Sequence, residues 1–386
     1  MGVATERGMA ADLAVDLGCD RIRVYVPGRG IVVDQPCVVA RRSSNRAIVA
    51  ACDDALRYIS GRQADSVLVS AREGTAIDFE AVSCVLRHAT SSAGWGTHSL
   101  RSRTSRQHML LCVEHTAGDV ECRALIDAAK AAGARSVSLL SSAIAAAVGA
   151  GVNLHRPHGA MVMDVGSCLT SVVVVSLGSV LACETSPVGG RAIDRAIREY
   201  LRDSCGVYIS DKMAEEVKKC CAFAAPVVGC SPVEITGRDV LTGMDRSVQV
   251  RPEDLRLVVE PVVDRIVGVA INCVTDLPPE LSRDLVETGI GLVGGGALLA
   301  GLSLRVEAAT GLPVTVLDRP VDRVCLGAGR LLKAREIVSY PLRGERRSRS
   351  ALKVSPLPFF DATSRFSSLF SEERSMLPLS QEDMIC

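Results

Sequence analysis

No apolar stretch of this chain approaches the roughly 20 residues that a membrane-spanning helix needs. Its opening residues, MGVATERGMAADL, hold no hydrophobic core of the kind a signal peptide carries. The expected location is therefore the cytoplasm. Net charge is missing as well: Lys+Arg and Asp+Glu stand at 44 each, so no field of one sign draws the chain to nucleic acid or to acidic lipid. No nucleic-acid partner is expected. Fifteen cysteines are present, but none in a Cys-x-x-Cys pair, and their spacings are irregular. In a chain of this length without a secretion signal they read as small, reduced core residues, not as disulfides or zinc ligands. The adjacent Cys220 and Cys221 add no more than a weak redox reading.

What is abundant is aliphatic. With 386 residues and 48 % hydrophobic content, the chain can build two domains or one large bilobed one. Short Val- and Ile-rich runs (Leu13 to Asp16, Ile22 to Val26, Ala160 to Asp164, Val172 to Leu177) read as strands. They alternate with helical stretches such as Asp119 to Ala134, which carries Leu125, Ile126, Ala129 and Ala132 and the closing Gly133. This alternation predicts an α/β protein with helices packed on sheets. The outline of LAVDLGCDRIRVYVPG (13–28) returns about 150 residues later as MDVGSCLTSVVVVSLG (163–178), so the core is expected to be built twice. Two such halves face each other across a cleft, where ligands usually sit.

Both hairpins have features that phosphate binding requires. A turn that clamps phosphate needs backbone N–H groups pointing inward, which favours glycine, and an aspartate before the turn can hold the water shell of Mg²⁺. Asp16-Leu17-Gly18 and Asp164-Val165-Gly166 supply both. One Asp-x-Gly is an ordinary turn; two in matched contexts carry more weight. Gly294-Gly295-Gly296 follows an apolar strand and is expected to open a helix at Ala297 and Leu298, and Gly189-Gly190 precedes another helix. Such turns either bring an anion against bare backbone or serve plain helix–strand packing, and the sequence leaves both open. Past Leu332 the composition turns to Ser, Arg and Pro without period, which reads as a disordered tail. Phe359, Phe360, Phe366 and Phe370 beside Arg343, Arg346, Arg347 and Arg349 give that tail a second reading, as a partner- or membrane-binding segment.

A wider resemblance is carried by VYVPGRGIVVDQPCVVA (24–40), RALIDAAKAAGARSVSLL (123–140), AAAVGAGV (145–152), GRDVLTGMDRSVQV (237–250), GLVGGGALLAGL (291–302), TGLPV (310–314) and CLGAGRLL (325–332). Over residues 11 to 334 in collinear order the sequence resembles the MreB and Mbl bacterial actin homologues, in the superfamily of actin, Hsp70 ATPase domains and sugar kinases. The resemblance implies an actin-like bilobed fold of two duplicated α/β domains around a nucleotide cleft. Its subdomains would be IA (11–37, 75–150 and 320–334), IB (38–74), IIA (151–186 and 268–319) and IIB (187–267), with 335–386 as the tail. It further implies ATP or ADP with Mg²⁺, filaments with itself or another MreB-like protein, cell-wall synthesis proteins as partners, and a peripheral position at the inner face of the membrane. Ala, Arg and Val richness with few lysines suggests a high-GC genome. The divergence resembles the second MreB-like protein of filamentous actinobacteria, linked to spore-wall formation.

The residues that the resemblance assigns to nucleotide are Asp16, Gly18, Asp164, Gly166, Thr170, Gly189, Gly190, Glu215, Lys218, Gly294, Gly295 and Gly296. Asp16 and Asp164 would meet Mg²⁺ through water, and Glu215 and Lys218 would contact adenine and ribose unless they are simply a solvated helix face. The departures lie at the phosphates. The family's first loop, D-L-G-T-A-N-T, is here Asp16 to Ile22, without either threonine, and Asp20 brings a carboxylate that Mg²⁺ or Arg21 would have to offset. The second, D-I-G-G-G-T-T-E, is Asp164 to Ser171, with two glycines lost. The Glu-Glu-Pro that supplies the water-orienting carboxylate is Ser141-Ser142-Ala143, and the aspartate after the paired glycines is Arg191. A serine without an activating neighbour is a poor base, so ATP hydrolysis is expected to be weak or absent and nucleotide binding weak or lost. In the loop 91–107, Trp95 and Leu100 beside several arginines are the candidate membrane contact. The expected function is an MreB-like scaffold that organises wall synthesis and cell shape. Two alternatives stay open: an active ATP-hydrolysing filament protein of the same fold, with an unrecognised base, and a non-polymerising module acting through its tail.

Overall fold

The computed structural model describes residues 12–60, 66–73, 76–95, 108–226 and 230–334. All of them belong to the unit Met1–Leu342; the remaining unit, Arg343–Cys386, and the whole candidate tail 335–386 lie outside the described residues.

The first half opens with an antiparallel meander of β1 (Leu13–Leu17), β2 (Arg21–Val26) and β3 (Gly30–Pro36). Next come β4 (Val38–Arg42), β5 (Ile48–Ala51), α1 (Cys52–Ser60) and β6 (Ser66–Ser70), whose strands make a small sheet in the order β5-β4-β6. A short pair, β7 (Arg72–Glu73) and β8 (Ala76–Ile77), leads to α2 (Phe79–Ser92), capped by the Asp78 carboxylate accepting from Ala81 N at 3.1 Å. Then follow β9 (His108–Val113), α3 (Asp119–Ala131), β10 (Ser136–Ser141) and α4 (Ser142–Gly149). β9 and β10 join β1 in parallel, giving the order β10-β9-β1-β2-β3.

The second half repeats this plan. β11 (Ala160–Val165), β12 (Thr170–Ser176) and β13 (Ser179–Ser186) form the meander. α5 (Gly190–Cys205), β14 (Val207–Tyr208), α6 (Asp211–Cys221), β15 (Val233–Asp239) and β16 (Asp245–Val250) follow, with a second small sheet β14-β15-β16. α7 (Pro252–Thr275), α8 (Pro279–Thr288), β17 (Ile290–Val293), α9 (Leu302–Thr310), β18 (Val314–Val316) and α10 (Arg323–Ala334) complete it. β17 and β18 add in parallel beside β11, so the order β13-β12-β11-β17-β18 reproduces the first sheet, strand for strand. The repeated hairpin in the sequence is thus the start of a repeated sheet.

Burial explains the composition. Val172 to Val175 of β12 are each no more than 2 % exposed, because a strand covered on both faces reads as an unbroken β-branched run. Each sheet has its own core, and a third apolar cluster joins them: Ala14 and Leu110 from one, Val162, Val173 and Val293 from the other, with Ala143 to Ala147 of α4 and Val324 and Ala328 of α10 between. α4 and α10 therefore fill the space between the sheets. Most described cysteines are buried or half-buried and all are free, while Cys220 and Cys230 are exposed.

Three local expectations are corrected. β12 ends at Ser176, and Leu177 instead turns the chain with φ +47 ahead of Gly178. The glycine triad does not open a helix at Ala297: Gly295–Leu298 is one 3-10 turn, and α9 starts only at Leu302, after Gly301. Trp95 is 7 % exposed and packs into the first half's core, its backbone N–H donating to Thr90 O at 2.9 Å. An indole committed to that core is not offered to a bilayer; Leu100 lies outside the described residues. No helix among the described residues is long and apolar enough to cross a membrane.

Candidate functional site

The two hairpin turns are closed by the same bond: Gly18 N donates to Arg21 O at 3.0 Å, and Gly166 N to Leu169 O at 2.8 Å. Asp16 and Asp164 lie near the ends of β1 and β11, where the acid interrupts an apolar strand. The glycine triad packs behind the second turn. A Cβ on Gly294 would stand 2.3 Å from Asp164 Oδ1, and one on Gly296 2.3 Å from Val165 Cγ1. At Gly294 and Gly296 the packing role of glycine thus has direct support, and Gly294 N is already given to Pro320 O at 2.9 Å.

α5 begins against the second turn. Gly190 N donates to Gly166 O at 3.0 Å and Arg191 N to Ser167 O at 2.8 Å, and a Cβ on Gly189 would meet Gly166 O at 2.4 Å. The helix's first N–H groups are therefore spent on the protein's own carbonyls. Arg191 then reaches across to the first half. Its Nε donates to Asp20 Oδ1 at 2.6 Å, its Nη2 closes on the same carboxylate, and Nη2 also approaches Cys19 O and Ser70 Oγ at 3.3 Å each. Burial opposes the guanidinium charge, but the Asp20 carboxylate, with Cys168 and Cys19 adding to it, outweighs burial and the Arg191 pKa is raised. The cation offsetting Asp20 is thus Arg191 of the other half. Arg21, the sequence's candidate, is bound to Asp34 at 2.5 Å instead.

A third acid meets the two aspartates. Glu114, the residue after β9, accepts from Ser142 Oγ at 3.3 Å and from Ser171 Oγ at 3.4 Å, so it touches both halves. Burial, then Glu114, then Asp16 push the Asp164 pKa up to about 7, against a smaller opposing pull from Arg23. The sequence reading missed Glu114, although the signal was present: CVEHT ends an apolar strand in an acid, as LAVDL and VMDV do. Among the described residues no three acidic, His or Cys groups converge closely enough to hold an ion directly.

Other assigned residues have structural duties. Thr170 is fully buried and its hydroxyl donates to Val188 O at 2.8 Å. Lys218 Nζ is held by Asp194 at 2.9 Å and Gly190 O at 3.3 Å, pinning α6 to the start of α5. Glu215 pairs with Lys219 at 2.6 Å. Burial would raise its pKa, but Lys219, Lys218 and, from the other half, Arg21 bring it below the usual range.

Comparison with known proteins fits this geometry. The family model described as MreB/Mbl protein matches residues 10–339. The chain belongs to the MreB/Mbl family. Within it, the chain is 33 % identical over 334 residues to the cell shape-determining protein MreB of Escherichia coli (85 % of this chain, 95 % of that protein) and 30 % identical over 324 residues to Mbl of Bacillus subtilis (84 % and 96 %). The crystal structure of MreB5 of Spiroplasma citri bound to ADP superposes with a TM-score of 0.77 at 26 % identity, covering 85 % of this chain and 97 % of that one. The MamK double helical filament, at 18 % identity and a TM-score of 0.69, shares the fold. This MreB/Mbl chain thus has the actin-like, bilobed α/β fold with the cleft between its halves.

Proposed function

We propose that this MreB/Mbl-family protein is a cytoskeletal scaffold that assembles into filaments, with itself or a related protein, and organises wall synthesis and cell shape, including that of spore walls. Its cleft takes ATP or ADP weakly and turns ATP over slowly or not at all. The observation that carries the second half of this reading is the Arg191 side chain, set between the two hairpins and bound to Asp20. Support for nucleotide as the ligand comes from MreB5 of Spiroplasma citri, solved with ADP and with AMPPNP. Negative-stain microscopy of the purified full chain, alone and mixed with a standard MreB from the same cell, tests the first half. Filaments in either sample are expected; monomers in both at all concentrations would leave the non-polymerising module.

One observation favours a second reading, an active ATPase. Glu114 puts a carboxylate beside Ser142, where the family's glutamate is missing. If Glu114 accepts the proton of the attacking water, phosphate release by the wild type is measurable and falls by about 100-fold or more in Glu114→Gln. The scaffold reading expects both proteins at background, because Glu114 is already engaged by two hydroxyls.

A further inference from the structure

Arg191 ties three parts of the molecule together. Its backbone starts α5 in the second half, its guanidinium grips Asp20 and the Cys19 carbonyl in the first hairpin turn, and Nη2 lies 3.3 Å from Ser70 at the end of β6 in the small sheet. Ser70 Oγ in turn donates to Cys19 O at 3.2 Å. Both charged groups keep access to the cleft, with 31 % of the Arg191 and 44 % of the Asp20 side chain exposed. Some of the backbone donors around them are already used: the Gly18, Gly166, Gly190 and Arg191 N–H groups bond to backbone carbonyls. An anion entering between the hairpins cannot take these four amides, and the Arg191 guanidinium is the charged donor it meets there.

We infer that Asp20 is a tethered competitor of nucleotide phosphate, holding Arg191 and closing the two halves on each other until a polyphosphate displaces it. The inference rests on the proposed nucleotide reading and adds a residue pair that sets its affinity. A carboxylate fixed to the same chain presents an effective concentration of millimolar or more, and an arginine fork binds carboxylate and phosphate in the same geometry. Asp20 and a phosphate cannot both occupy it. The competition also explains two departures together: an acid placed in the first phosphate turn and a base placed after Gly189-Gly190 are each unfavourable alone and neutral as a pair.

The test is a double-mutant cycle on Mg-ADP binding by calorimetry, with wild type, Asp20→Asn, Arg191→Gln and the double variant, all full chain. Competition predicts that Asp20→Asn binds tighter by about tenfold or more, that Arg191→Gln binds no tighter than wild type, and that Asp20→Asn adds nothing once Arg191 is Gln. Inorganic tripolyphosphate as titrant should rank the four proteins in the same order, and melting curves check that each is folded. If Asp20→Asn does not fold, Asp20→Ser takes its place. Equal affinities for wild type and Asp20→Asn overturn the inference. So does a gain that persists without Arg191, which would mean simple repulsion by Asp20. No binding by any of the four at millimolar ligand overturns it too, together with the nucleotide reading, whereas filament formation is judged separately by microscopy.

Discussion

At pH 8 the Asp164→Asn variant is expected to be more stable than the wild type by about 2–4 kcal/mol, and the difference is expected to disappear as the pH falls to about 4. The Asp164 carboxyl titrates near 3.8 in a free chain and at about 7 in the folded one, through burial and the neighbouring Glu114 and Asp16. Between those values the folded protein keeps a proton that the unfolded chain has released. Stability therefore falls as pH rises through this window and stays low above it, the reverse of a salt-bridged aspartate. Asp164 is half-buried by its accessible surface, so solvent screens part of the charge and sets the lower end of the range. Urea midpoints from pH 4 to 8 for both proteins read the effect. An advantage for Asp164→Asn that does not change with pH would show that the carboxylates around it do not govern its charge.

A second large effect is expected at the crossing of α4 and α10. A Cβ on Gly327 would stand 1.9 Å from Ala145 O and 2.6 Å from Gly149 N, and one on Gly149 would stand 1.9 Å from Arg323 O. All three obstacles are backbone atoms, which cannot rotate aside, so the helices must separate and loosen the cluster that joins the two sheets. Gly327→Ala should cost about 3 kcal/mol or more. Gly268→Ala in α7, where a Cβ meets nothing within 4 Å, should instead add up to about 1 kcal/mol through helix propensity. Equal denaturation midpoints for the two variants would contradict a close helix crossing between the sheets.

The repeat was legible because its signature is local. LAVDLGCDRIRVYV and MDVGSCLTSVVVV each hold an apolar strand, an acid and a turn, and both fold into the first two strands of a five-stranded sheet. The helix predicted from Asp119 was legible for the same reason, its period and closing glycine giving α3 and the positive φ of Gly133. What was not legible depends on residues distant in sequence. Asp20 and Arg191 are 171 positions apart, so the sequence offered Asp20 only its neighbour Arg21. Glu114 gains meaning from Ser142 and Ser171, which strand pairing and helix placement bring to it. Trp95 looked like an interface residue because its loop is rich in arginine, and only the fold of α2 and its following turn turns the ring inward. The glycine triad was misread as a helix start since packing against Val165 and anion binding ask for the same residue.

If, as proposed, this MreB/Mbl-family chain forms filaments that turn ATP over slowly or not at all, their assembly does not depend on hydrolysis. The most direct test is the critical concentration for assembly, taken from light scattering and pelleting with Mg-ATP and with Mg-AMPPNP. The same critical concentration is expected with both, and filaments in ATP are expected to persist for hours. Filaments that form in ATP and then disassemble as phosphate is released, while those in AMPPNP remain, would contradict assembly independent of hydrolysis.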